Sequence, residues 1–178
     1  MTNTVKPTRR ETILDDAVRV FGRHGYRKTS VQDIADATGL SKPGLYLHFA
    51  SKEDIFAAAM TKYLTNALAD AQSVAAQKGT SLPDRLAAAM EAWFGLHLVT
   101  FTPETFDIIG EGNLLSGSSV ENVKSAFMSI LANTMQTEGF AASAAADRSH
   151  VLFLCGLSWK QPGTTPEIFR SSVKTCIR

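Results

Sequence analysis

No stretch of this sequence alternates polar and apolar residues over the length a strand requires. Apolar residues instead return every three or four positions. The runs open at Ser or Thr and stop at Gly or Pro. That pattern confines the chain to an all-α fold. A first helix is predicted from about Arg9 to His24. Thr8 and Glu11 form its capping box, Ile13, Leu14, Ala17, Val18 and Phe21 its buried stripe, and Gly25 its C-cap. A second opens at Ser30 with Asp33 at N3, turns Val31, Ile34, Ala35 and Ala37 inward, and ends at Gly39. A short third takes Ser41 as N-cap and Pro43 in its first turn, where the missing N–H costs nothing, and ends by Phe49. The fourth follows Ser51 and runs to about Gln77, with Ile55, Phe56, Ala59, Met60, Tyr63, Leu64, Ala67 and Leu68 inside and Gly79 closing it.

Five further helices complete about nine in all. They are predicted at about Pro83 to Phe101, Thr102 to Ile109, Ser119 to Glu138, Ala142 to Lys160 and Pro166 to Arg178. Gly110, Gly112 and Gly117 loosen the segment after the sixth, and Gln161 to Thr165 is a turn. The boundary between an N-terminal head, residues 1–52, and a body, residues 53–178, falls at the start of the fourth helix. No flexible linker separates them.

Charge is divided in the same way. Residues 1–52 carry nine basic and five acidic side chains, a net +4, while the remainder is −3. A basic head on an acidic body suits a polyanion held at one end. At 44% apolar and 20% charged the composition is that of a globular chain. Met1 to Arg10 lack the apolar core of a signal peptide, and the densest apolar run, Val151 to Leu157, is too short to span a bilayer. A cytoplasmic protein without membrane contact is expected. Cys155 and Cys176 read as small buried hydrophobes, with a thiol redox switch as the alternative.

The second helix, the turn Thr38–Gly39–Leu40 and the third helix form a compact helix-turn-helix. Leu45 and Phe49 anchor the third helix, which turns Lys42, Pro43, Gly44, Tyr46, Leu47 and His48 outward, a face fit for a major groove. Gly44 keeps that face thin. Ser30 and Ser41 mark helix starts whose free N–H groups favour phosphate. The residues Gly25-Tyr26, Thr29 to Ala35, Gly39 to Phe49 and Ser51 to Phe56 together resemble the N-terminal domain of the TetR family of transcriptional regulators. The resemblance covers about residues 10–57. It implies an all-helical homodimer with a DNA-binding head and a divergent effector-binding and dimerisation body. By resemblance, Lys28, Thr29, Ser30, Gln32, Ser41, Lys42, Pro43, Gly44, Tyr46, His48 and Lys52 match positions that commonly meet DNA. Pro43 departs from the small or polar residue of many members, so apolar contact is expected there. Leu47, also apolar, is expected at a thymine methyl.

For the body, Trp93, Phe94, His97, Phe101, Phe106, Phe127 and Met128 are the expected lining of a pocket for a small organic effector. Val151, Leu152, Leu154, Cys155, Leu157, Trp159, Phe169 and Val173 are the expected dimer face, two helices from each subunit forming a four-helix bundle. No nucleophile with a placed base, phosphate loop, dinucleotide fingerprint or metal-ligand spacing is present in the sequence. No enzyme activity, cofactor or metal is therefore expected. The function expected is that of a repressor bound to a pseudo-palindromic operator and released by an effector. The alternative is a DNA-binding regulator without small-molecule input.

Overall fold

The computed structural model describes residues 8–100, 118–158 and 164–177, with side chains described for 8–94, 121–158 and 164–177. Eight helices lie within them: α1 (Arg9–Lys28), α2 (Val31–Thr38), α3 (Lys42–Tyr46), α4 (Lys52–Ala75), α5 (Leu82–Thr100), α6 (Ser118–Gln136), α7 (Ala142–Ser158) and α8 (Pro166–Ile177). No strand occurs among the described residues. The helix predicted at Thr102 to Ile109 lies outside them.

Local chemistry sets the helix starts. The Thr8 hydroxyl accepts from the Glu11 N–H at 3.2 Å, and the Glu11 carboxylate accepts from the Thr8 N–H at 2.7 Å. Ser30 and Asp33 repeat the reciprocal pair at 3.2 and 2.7 Å. α1 runs past its predicted stop. Gly25 breaks the helical geometry with φ 76° and ψ 162°, and one further turn follows before Thr29. Gly39 takes the left-handed conformation at φ 64°, a backbone that only glycine adopts without strain, and closes α2.

α1, α2 and α3 pack around Ile13, Ala17, Phe21, Ile34, Leu45 and Phe49, all at or near zero exposure. α4 joins this core through Ile55, Phe56 and Ala59. Phe21 meets the Phe56 ring edge-on at 4.9 Å, and Tyr26 packs on the same ring at 4.8 Å. The inward face of α2 differs at one position from expectation: Ala37 is exposed and Thr38 takes the buried place. The Thr38 hydroxyl can do so because it donates to the Ile34 and Ala35 carbonyls, leaving no polar group unpaired.

Farther along, α4 leaves α1 and packs against α5 and α6, so one uninterrupted helix belongs to both head and body. Polar side chains tie α4 to α1. Lys62 Nζ donates to the Glu11 carbonyl at 2.9 Å and to the Asp15 carboxylate at 2.6 Å. At the other end, the Tyr26 hydroxyl donates to Glu53 at 2.6 Å and holds that carboxyl below the usual carboxylate range. The body core is aromatic. Trp93 stacks on Phe127 at 4.5 Å, and Phe94 lies within 6.3 Å of Phe127, Phe153 and Phe169. α8 lies against α5, and Lys174 of α8 pairs with Asp84 at 2.5 Å.

Candidate nucleic-acid interface

The α2–α3 unit is assembled from its turn outward. The Leu40 N–H donates to the Ala35 carbonyl at 2.9 Å, completing the glycine-capped end of α2. Ser41 Oγ then accepts from the Gly44 N–H at 3.2 Å and starts α3. A Cβ at Gly44 would press on that same Oγ at 3.3 Å, so the glycine spares the cap as well as keeping the face thin. Leu45 and Phe49 are buried, which fixes the rotation of so short a helix and leaves Lys42, Pro43, Tyr46, Leu47 and His48 facing out. Tyr46 is 49% and Leu47 86% exposed.

Two arginines that the sequence reading did not select also belong here. Arg9 Nη2 donates to the Thr38 carbonyl at 2.9 Å, at the end of α2. The Arg10 guanidinium lies 4.6 Å above the Phe49 ring. Both are exposed cations beside α3. The available signal was the basic pair next to the Thr8 cap.

Lys28, Ser30, Gln32 and Ser41 are exposed, as a contact surface requires. The Gln32 amide donates to Asp36 at 2.5 Å. Thr29 and Lys52 are engaged within the protein. Thr29 is 1% exposed and its hydroxyl donates inward to the Gly25 carbonyl at 2.7 Å, so its side chain cannot reach a ligand. Lys52 Nζ donates to the Tyr26 and Thr29 carbonyls, both at 3.1 Å, and stands 4.3 Å from the Tyr26 ring centre. Two of its three donors are thus spent inside the protein.

In the body the outcome is mixed. Trp93, Phe94 and Phe127 are fully buried against one another, whereas Met128 is half-buried. The His97 side chain, Phe101 and Phe106 lie outside the described residues. A polar groove of about 510 Å³ lies between α1, α4 and α5, bordered by Asp15, Arg19, Tyr63, Asn66, Asp70 and Glu91. An apolar cavity of about 160 Å³ involves Leu86, Met135, Phe140, Leu152 and Cys176. On the expected dimer face, Leu152, Phe169 and Val173 are buried within the protomer, the last two on α8, which packs on α5, and no partner can reach them. Val151, Leu154 and Leu157 on α7 and Ile168 on α8 are exposed instead. Trp159 lies outside the described residues. Neither cysteine is buried as expected, Cys155 being half-buried and Cys176 exposed. Burial and the neighbouring Cys176 push the Cys155 thiol up, away from the reactive thiolate.

A three-helix head that presents a glycine-turned helix-turn-helix, carried on a helix that continues into an all-helical body, defines the helix-turn-helix class of fold. Residues 13–59 match the family described as bacterial regulatory proteins, tetR family. The head of the chain is thus similar to the DNA-binding domain of that family. The transcriptional repressor ComR of Escherichia coli K12 is 42% identical over 55 residues, which cover 31% of this chain and 26% of ComR. The transcriptional activator FasR of Mycolicibacterium smegmatis is 37% identical over 86 residues, 48% of this chain and 39% of FasR. The matched stretches therefore span well under half the length of these relatives. AibR, solved with isovaleryl coenzyme A and operator DNA, shares the fold across 94% of this chain and 96% of its own, at a TM-score of 0.66 and 23% identity.

Proposed function

We propose that this protein is a transcriptional repressor that binds a pseudo-palindromic operator in double-stranded DNA as a homodimer and leaves it when a small organic effector binds the body. The observation that carries this reading is the α3 face: an exposed surface rotated outward by the buried Leu45 and Phe49, on a net basic head. Residues 1–52 are assigned to DNA and 53–178 to effector and dimer. The contact set is Lys28, Ser30, Gln32, Ser41, Lys42, Pro43, Gly44, Tyr46, Leu47 and His48, with Arg9 and Arg10 added at its edge.

A short recognition helix reads too few base pairs to be selective alone, so two heads are needed. The exposed Val151, Leu154, Leu157 and Ile168 support a self-association face on α7 and α8. An effector site in the body is supported by the ligand and DNA held by AibR. The site of action is the cytoplasm, and no catalytic step enters the mechanism. No described helix is long and apolar enough to cross a membrane.

A genomic footprint of the purified full chain tests the reading. Two equivalent half-sites on one face of the duplex, about one helical turn or a multiple apart, are expected. A single asymmetric site occupied by one protomer, or no protected site, overturns it.

A further inference from the structure

The α3 face lacks most of the chemistry that reads bases by hydrogen bonding. Base edges in the major groove are distinguished by Arg or Lys on guanine, Asn or Gln on adenine, Asp or Glu on cytosine, and apolar groups on the C5-methyl of thymine. Residues 41–49 contain no Arg, Asn, Gln, Asp or Glu. Their one long cation, Lys42, is the first residue of α3, at the end of the helix away from Leu47. Pro43 and Leu47 are four residues apart and share one face. Both are exposed, and Leu47, at 86%, is the most exposed large hydrophobic of the described residues.

A lone exposed leucine is common on protein surfaces and proves nothing by itself. Its setting is what matters here. The buried Leu45 and Phe49 hold it on the side of α3 directed away from the core. Arg9, Arg10, Lys28 and Lys42 of the same head are exposed, and no acidic residue lies between Asp36 and Glu53. That charge fits a polyanion and not the apolar face of another protein.

We infer that Leu47, with Pro43 beside it, is a specificity-determining residue that recognises thymine through its C5-methyl group in the major groove. This rests on the DNA-binding reading above and assigns the chemistry by which that face discriminates sequence. Tyr46 and His48 keep polar ends for phosphate or for base edges at the flanks. The discrimination is modest per position, because covering one methyl is worth about fourfold in affinity.

The test begins with duplexes selected from a random pool by the full chain. Each thymine of the selected half-site is then replaced in turn by deoxyuridine, which pairs identically and lacks only the methyl group. One or two replacements per half-site are expected to weaken binding about fourfold each. Leu47→Ala is expected to bind the thymine and deoxyuridine duplexes equally at one of those positions. Its thermal stability and salt dependence should be those of the parent, since the side chain is exposed and uncharged. The inference is overturned if deoxyuridine is tolerated throughout, if no thymine occurs in the half-site, or if Leu47→Ala discriminates as the parent does. In those cases specific binding persists and the DNA-binding reading stands. Failure to enrich any duplex overturns both.

Discussion

Replacing Lys52 with methionine keeps the aliphatic stem and removes only the ammonium. From position alone Lys52 looks like a phosphate contact, and its loss would flatten the salt dependence of DNA binding by about 0.9 in log–log slope. The geometry leads elsewhere. The ammonium donates to the carbonyls of Tyr26 and Thr29 and lies over the Tyr26 ring. Thr29 precedes Ser30, the N-cap of α2, so Lys52 fixes the start of α2 against the start of α4. A hydrogen bond to a charged group contributes about 1.5–3 kcal/mol, and the ring contact about 0.5–1. Lys52 is only half-buried, so water replaces part of what is lost. The net expectation is a destabilisation of about 2–3 kcal/mol, with weaker DNA binding and an unchanged salt slope. Thermal melts and fluorescence anisotropy across a salt series measure both quantities on the full chain. Lys28→Ala is the counterpart, since Lys28 is exposed and should lower the slope without lowering the melting temperature. If Lys52→Met melted like the parent and lost about 0.9 of slope, the reasoning would be refuted.

The two faces of α3 should separate cleanly. Leu45→Ala leaves a cavity and should cost about 2–5 kcal/mol, whereas Tyr46→Ala should melt normally and bind DNA poorly; equal losses of stability would mean that the faces are misassigned. A Cβ at Gly156 would collide with the Phe94 ring, so Gly156→Ala should destabilise the body by about 1–3 kcal/mol in a denaturant titration. The Ser30 N–H and hydroxyl hold the Asp33 carboxyl low, as the Thr8 N–H and hydroxyl hold Glu11. These carboxyls are depressed in the folded state. Their contribution is therefore complete above the ordinary carboxylate range, about pH 4, and is lost as pH falls through the lower folded values. Asp33→Asn should shrink the acid-side loss of stability, and identical acid titrations would contradict that. Leu154→Asp, at an exposed site on α7, should shift the sedimentation profile from dimer to monomer; an unchanged dimer would move the interface off this face.

The head was legible in the sequence because its decisive signals are local. The Ser30 and Asp33 pair, Gly39, Ser41 and the spacing of Leu45 and Phe49 each act within four residues, and each took its expected place. Errors began where partners are distant in sequence. Thr29 looks exposed in a polar stretch, and only the fold shows its hydroxyl turned to Gly25. Lys52 looks free until α1 is brought beside it, 23 residues from one acceptor and 26 from the other. The body shows the same limit. An apolar helix face reads alike whether it meets its own chain or a second copy. Phe169 and Val173 were therefore placed at a dimer face that α5 already covers. Cys176 follows the apolar spacing of α8 and is nevertheless exposed.

The straps between α1 and α4 bear on how such a head is moved from one protein to another. A graft cut after residue 52 retains Lys52 but discards Glu53, which receives the Tyr26 hydroxyl, and Lys62, which holds Glu11 and Asp15. It also strips Ile55, Phe56 and Ala59 from the core that α1 completes. The transplantable piece is therefore longer than the helix-turn-helix. It extends through the part of α4 that lies on α1, past Lys62, and its natural splice point is within α4, where that helix turns from α1 to α5. A chimera joined there inherits the orientation of its reading helix from the donor and its lever from the host.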